Sequence, residues 1–595
     1  MIKDRLGMLR QEMTKRNISI YVVPTADFHE SEYVGDYFKA RQYITGFTGS
    51  AGTVVITLSE AFLWTDGRYF IQAREQLEGT SVELMKMGEE GVPTVDEFIE
   101  SRLSQGQCLG FDGRVVNGAW GKRLLSIANR KSAKLCVEED LIDIIWKDRP
   151  PLSKEPAWVL DNKYAGIDIS EKLENVRGKM RELGAQVHLL SSLYDIAWLL
   201  NIRGNDISYV PVVLSYLVLT EELCIWFVQE EAISSQVRDY LDSNGIITKP
   251  YESIFDYIRG LEDKSVLMDT SVVNYRICNS LSDSITVIDD ADPTVLMKAV
   301  KNEIEIKNIK SAHIKDAVAM CKFMYWLKTN VGKIPMTEIS VSDYLEELRA
   351  KQEGFIELSF DTISGYAEHG AIVHYSATPS TDKELKPEGL LLVDSGGHYL
   401  EGTTDITRTF ALGPVTDEMR DMFTRVCRAN LSLANAKFRY GCSGLSLDVL
   451  ARAPLWEVDM NYNHGTGHGV GYLLNVHEGP NGFHCRQNSN GKPEQILEEG
   501  MVTTDEPGIY LEGKFGIRTE NELICRKGNK NEYGQFMYFE NITYVPIDLD
   551  AIDPNQMSPQ ERQMLNQYHE NVYKLIAPLL EKEEAQWLKE YTRAI

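Results

Sequence analysis

The chain has 595 residues, 43% hydrophobic and 25% charged, with a formal net charge of −26 and a pI near 5.0. That length exceeds one ordinary core, so two to four domains of a soluble globular protein are expected. The acid excess argues against a nucleic-acid partner, which needs a basic face, and no apolar run approaches the roughly 20 residues that span a bilayer, so neither nucleic acid nor membrane is expected as a partner.

The amino terminus, "MIKDRLGMLRQEMTKRN", is charged and amphipathic and lacks the apolar core of a secretory signal, which makes cytoplasmic residence the default. Nine cysteines without a CxxC pair suit reduced thiols rather than disulfides or a thiolate zinc site. Residues 1–155 alternate strand patterns ("ISIYVVP", "GTVVITL", "AFLWTD") with helical ones such as "RYFIQAREQL". A proline-rich break, "KDRPPLSKEPAW", leads into residues 156–305, which repeat that order of elements. "YITGFTGSAGTVVITLSEAFLWTD" finds a faint echo in "WLLNIRGNDISYVPVVLSYLVLTEELCIWF", so duplication of one α/β module is expected.

From about Leu296 the pattern predicts one long amphipathic helix, "MKAVKNEIEIKNIKSAHIKDAVAMCKFMYWLKTNVG", stopped by Gly332. Strands joined by glycine turns follow in "GLLLVDSGGHYLEGTTDITRTFAL". A helix capped by Thr416, with Asp417 and Glu418 in its first turn, comes next, then further strands. One or two helices are expected over the last 40 residues. Residues 306–595 thus read as an α+β domain.

Seven of the eleven histidines lie between His369 and His484, which places the chemistry in this domain. No HExxH, GxSxG or GxxxxGK[ST] motif occurs, and "GTGHGVG" fails the dinucleotide fingerprint because Val470 stands at its third glycine. Asp394 ends the apolar run "GLLLVD", and Asp405 lies eleven residues later on the returning strand, so a hairpin can join the two carboxylates. Glu506 stands in "TTDEPGIY", where Pro507 and Gly508 end a strand, and Glu520 stands in the alternating strand "GIRTENELIC". Each alone is ordinarily a solvated acid. Brought together by apolar strands with one or two imidazoles, they need a cation to offset their burial. A carboxylate-rich set with one histidine suits two hard divalent ions such as Mn²⁺ better than an isolated zinc, and paired ions suit hydrolysis.

In that order, "VDSGG", "TTDITRT", "HGTGHGVG", "DEPGIY" and "IRTEN" resemble the five metal-ligand motifs of the pita-bread metallopeptidases. The two leading modules resemble the paired creatinase-like domains of the long, three-domain Xaa-Pro aminopeptidases. The resemblance implies two creatinase-like α/β modules, 1–155 and 156–305, before a pita-bread α+β catalytic domain, 306–595, with a helical carboxy-terminal extension. It implies Asp394, Asp405, His468, Glu506 and Glu520 as ligands of two divalent ions, Mn²⁺ foremost and Zn²⁺ or Co²⁺ as alternatives, with Asp405 and Glu520 bridging. Glu506 would also be the general base. His374, His464 and His477 would be catalytic and substrate-binding histidines, and Arg518 and Tyr510 would support the substrate site.

The implied activity is removal of the first residue from peptides with proline second, a bond whose tertiary amide and fixed φ need a dedicated pocket. A homodimer is implied too, with Trp456 near its contact. The rivals are a prolidase, which shares the ligands but cleaves only dipeptides, and a non-catalytic pita-bread module that binds peptides or histones. In an extended strand His464 and His468 would line one side about 13 Å apart, the glycines between them admitting other backbone.

Overall fold

The computed structural model of the protein describes residues 1–487 and 493–595. They form two compact units: Met1–Asp161 with Ile167–Thr294, and Asn162–Gly166 with Val295–Ile595. Among the described residues no helix is long and apolar enough to cross a membrane.

The first unit holds two six-stranded sheets. One runs Glu83–Lys86, Ala61–Thr65, Thr53–Thr57, Ile20–Pro24, Cys108–Gly110, Lys134–Cys136. The other runs Ile246–Pro250, Cys224–Val228, Ser215–Thr220, Val187–Leu190, Ser265–Met268, Thr286–Asp289. In both, the two central antiparallel pairings are flanked by parallel ones, in the same sequence. The faint echo in the sequence is therefore a repeat of a whole module. Strand alternation splits the first sheet between two cores: Val23, Val54, Ile56 and Leu63 face one, while Ile20, Val22, Val55, Phe62 and Trp64 face the other. Both faces being covered, these strands read as unbroken apolar runs.

The expectation of reduced thiols fails for one pair. Cys108 and Cys136, 28 residues apart, are joined in a disulfide, because the parallel register sets Cys136 opposite Gly110, on the strand that begins at Cys108. No local spacing announces such a pair. The other seven cysteines are free.

In the second unit the predicted long helix is broken in two. Pro293–Ala299 ends, Val300 to Asn302 run extended, and Glu303–Asn330 begins afresh. The cause is Asn302: its side chain accepts from the backbone of Ile304 and Glu305 while Glu305 accepts from the Asn302 amide, a capping box that starts a helix rather than continuing one. Asn302 and Asn308 also donate to the carbonyls of Ala165, Lys163 and Tyr164, so the short helix Asn162–Ala165 belongs to this unit.

Met320, Phe323, Met324 and Leu327 of the long helix pack against Leu391, Val393, Ile406 and Phe410, and Val572, Ile576 and Leu588 of the carboxy-terminal helices Pro559–Ile576 and Lys582–Tyr591 close the same core. The strand Leu390–Ser395 lies between Ile363–Tyr366 and Ile406–Ala411, both antiparallel to it. A six-stranded sheet follows in the order Lys437–Arg439, Gly534–Asn541, Asn521–Asn531, Val502–Asp505, Gly467–Gly469, Glu478–Phe483. The helix Asp417–Ala434 is capped by Thr416 as expected.

Candidate active site

Each acidic residue singled out in the sequence sits at or within a residue or two of a strand end. Asp394 is the fifth residue of Leu390–Ser395, opposite Thr407. Asp405 immediately precedes Ile406–Ala411, and its amide donates to Glu522 Oε1 at 2.8 Å. Glu506 follows Val502–Asp505, its amide donating to Thr466 O; Pro507 separates the strands and Gly508 opens the next one, rather than both ending a strand. Glu520 differs from the prediction: "GIRTENELIC" is two strands, Phe515–Arg518 and Asn521–Asn531, in different sheets. Its backbone leaves both ladders because Glu520 N donates to Thr407 O while Glu520 O accepts from the buried Arg408 guanidinium.

The histidine pair is corrected as well. The strand is only Gly467–Gly469, with His468 at its centre, and His464 lies in the bend before it. Backbone approach sets the glycines: a Cβ at Gly467 would stand 1.9 Å from Thr504 O, and one at Gly469 2.1 Å from Glu478 O. The bend is held from within. Arg452, buried on the helix Gly444–Trp456, pairs with Asp448 and donates to Tyr462 O and His464 O at 2.7 and 2.9 Å.

The five residues converge. His468 Nε2 lies 3.4 Å from Asp405 Oδ2 and 3.7 Å from Glu506 Oε1. One donor atom from each of Asp405, His468 and Glu520 falls within 4.8 Å of the others. Asp394 belongs to the same field, raising the proton affinity of Asp405, Glu506 and Glu520. Burial is the first cause of all three shifts. It lifts Asp405 and Glu520 well above the carboxylate range and Glu506 to about 7, with His468 and Arg518 opposing the rise at Glu506.

A divalent cation fits this set. It would supply the missing positive charge, and Asp394 Oδ1 is buried without a hydrogen-bond partner and open to a ligand bond. Two of the other acceptors are held by protein: Thr407 Oγ1 donates to Glu520 Oε2 at 2.7 Å, and Arg518 Nη2 to Asp394 Oδ2 at 2.6 Å.

Around the acids stand the other predicted residues. His464 Nδ1 lies 2.7 Å from Gly465 O, which marks it as the protonated nitrogen and leaves Nε2 to accept from Tyr510 OH at 2.8 Å. Tyr510 OH in turn accepts from Arg518 Nη1 at 2.7 Å. His464, Tyr510, Arg518 and Asp394 therefore form one hydrogen-bonded chain. The His477 ring meets the His468 ring edge-on, centroids 4.2 Å apart. His374 follows Val373, whose carbonyl lies 3.5 Å from Arg518 Nη2.

Sequence reading missed the groups that hold these loops. Buried Glu338 accepts from Tyr366 N, His369 Nδ1, Tyr375 OH and Lys383 N, gathering the segment that carries His374. Buried Asp316 and Arg349 pair bidentately. Asp316 accepts from Thr404 Oγ1 and Arg349 donates to Ser395 O, so one ion pair braces the neighbours of both Asp405 and Asp394. On helical spacing these charges look solvated, and only Asp448 and Arg452, four apart, carried a local signal.

Strand ends that converge buried carboxylates and one imidazole in a pita-bread domain define a metal-dependent hydrolase. The chain belongs to metallopeptidase family M24: that family matches residues 307–527 and its C-terminal region residues 535–595, preceded by creatinase/prolidase N-terminal domains at 5–143 and 148–305. It is 39% identical to Xaa-Pro aminopeptidase 1 of Dictyostelium discoideum over 99% of this chain and 96% of that protein. It is 37% identical to aminopeptidase P2 of Arabidopsis thaliana over 100% and 89%. Among solved structures, an X-prolyl aminopeptidase from Caenorhabditis elegans, described as a cytosolic enzyme with a di-nuclear active site, superposes with a TM-score of 0.95 at 33% identity over the whole of both chains. An Xaa-Pro dipeptidase from Bacillus anthracis, 25% identical with a TM-score of 0.51, covers 64% of this chain and 99% of its own.

Proposed function

We propose that this chain is an Xaa-Pro aminopeptidase that releases the first residue of peptides whose second residue is proline. The observation that carries the reading is full-length similarity to aminopeptidases of that specificity, whereas the dipeptidase covers only part of the chain. Asp394, Asp405, His468, Glu506 and Glu520 would hold two divalent ions, Mn²⁺ in our reading, with Asp405 and Glu520 as the shared ligands. Bound there, the ions would supply Lewis acidity for hydrolysis.

The chain's own groups do the rest. Glu506, whose carboxyl burial lifts to about 7, would accept the proton of the attacking water and return it to the leaving proline nitrogen. His477, against His468, donates to the oxygen on which negative charge develops. His464, fixed by Tyr510 and Arg518, and His374, on the loop that Glu338 gathers, line the substrate side. A homodimer and cytoplasmic residence complete the proposal. The exposed Val449, Leu450 and Trp456 on one helix support the first, and the cytosolic description of the Caenorhabditis elegans enzyme supports the second.

The test is release of arginine from Arg-Pro-Pro by the Mn²⁺-loaded protein, alongside Arg-Pro and an Asp405→Asn variant. Rapid cleavage of the tripeptide, abolished by the substitution, is expected. Cleavage of the dipeptide alone makes the chain a prolidase, and equal rates with Asp405→Asn overturn the catalytic reading.

A further inference from the structure

A lysine carboxylate pair sealed on both sides lies at the edge of the site. Lys301 and Glu478 are 1% and 2% exposed, with Nζ 2.5 Å from Oε1. Lys301 belongs to the extended break between the helices Pro293–Ala299 and Glu303–Asn330. Its backbone is fixed independently, by its amide to Gly500 O and by the bridge of Val300 to Met501, and its Nζ also donates to Lys298 O at 2.8 Å. Glu478, 177 positions away, follows His477 and opens the strand Glu478–Phe483 opposite Gly469. Its second oxygen is buried without a hydrogen-bond partner, so the ammonium is the whole restraint on this carboxylate.

Taking both charges out of water costs about as much as their attraction returns, so net stability is a poor reason for the pair. Position is a better one. The loop before Glu478 carries the short-range bonds Gly471 N to Asn475 O and the Asn475 side chain to His477 O, and its first half is tied outward where Tyr472 OH meets Asn308 Nδ2 and Leu400 O. Leu473 within it has a positive φ of 48°, and a Cβ at Gly471 would stand 2.6 Å from Asn475 O. These bonds set the loop's shape and hold its first half, while its other end enters the strand at Glu478. The Lys301 ion pair fixes the residue next to His477 to a separate, rigid piece of backbone.

We propose that Lys301 is a positioning residue for His477: through Glu478 it holds the imidazole at the angle from which it serves the reacting carbonyl. This rests on the role given to His477 above. The prediction is a loss carried in kcat, because the misplaced group acts in the transition state, with KM little changed.

A double-mutant cycle on the full-length Mn²⁺-loaded protein, assayed with Arg-Pro-Pro, decides it. Lys301→Met is expected to lower kcat about tenfold or more, in the range of groups that orient an active-site residue. In a His477→Ala background the same substitution is expected to change kcat by less than about twofold. Equal losses in both backgrounds overturn the proposal, since Lys301 then acts without His477. A His477→Ala protein with unaltered kcat overturns it too, by removing the role of His477 itself, a result distinct from the first. Glu478→Gln keeps the shape and an acceptor while discharging the pair. It runs the same cycle should Lys301→Met fail to fold, with the same expected and overturning outcomes.

Discussion

Arg518 Nη2 donates to Asp394 Oδ2 at 2.6 Å while Nη1 of the same guanidinium donates to Tyr510 OH at 2.7 Å. One planar fork thus holds an acid of the cluster and the hydroxyl that orients His464. A lysine keeps the charge but cannot span both acceptors. Arg518→Lys is therefore expected to lower kcat/KM and metal affinity by about 10- to 100-fold. Steady-state kinetics and calorimetric titration with Mn²⁺ measure the two losses.

Burial raises Glu506 from 4.5 to about 7 and lifts Asp405 and Glu520 in the same direction. The folded metal-free chain therefore keeps protons that the unfolded chain releases, and its stability falls as pH rises from about 4.5 to about 7. Glu506 alone contributes on the order of 3 kcal/mol to that fall. Because the ions bind the ionised acids, the gain in Tm on adding Mn²⁺ is expected to grow from pH 5 to pH 8. Thermal denaturation with and without chelator reads both, and a metal-free Tm that does not decline across this range contradicts the clustered acids.

Gly467→Ala is expected to remove activity and destabilise the chain by several kcal/mol, since its Cβ would overlap Thr504 O, which cannot retreat without breaking the sheet. Gly178→Ala is the contrast. It sits in the helix Ile169–Leu183 with only the end of the Arg181 side chain within 4 Å, and a gain of about 0.5–1 kcal/mol is expected. Urea denaturation of both variants measures the difference.

Arg349→Met leaves Asp316 charged, buried and short of its bidentate partner. A loss of about 3–5 kcal/mol is expected. Because the pair also braces Ser395 and Thr404, Mn²⁺ affinity measured by titration is expected to fall together with stability.

Asp394 was legible in the sequence because it interrupts the apolar run of "GLLLVDSGG", and Asp405, Glu506 and Glu520 because they stand on or beside predicted strands. The glycines around His468 were legible for the same local reason. The partner groups were not. Lys301 and Glu478, or Asp316 and Arg349, pair over distances no periodicity records, and the Cys108–Cys136 pairing depends on a parallel register that no turn residue specifies. The predicted helix from Leu296 failed locally, where capping by Asn302 outweighed an unbroken amphipathic pattern. The split of "GIRTENELIC" followed from Arg408 and Thr407, over a hundred positions away, taking the backbone of Glu520 out of its ladder.

The segment Asn162–Gly166, lying far upstream yet bonded to Asn302 and Asn308, bears on how the protein can be dissected. A fragment begun at Val295 would lose the strap across the first turns of its longest helix, and the amides of both asparagines would turn to water. The hydrolytic half is thus assembled from two stretches of polypeptide, and nicking the chain near residue 167 would separate it less cleanly than a linear map of its domains suggests.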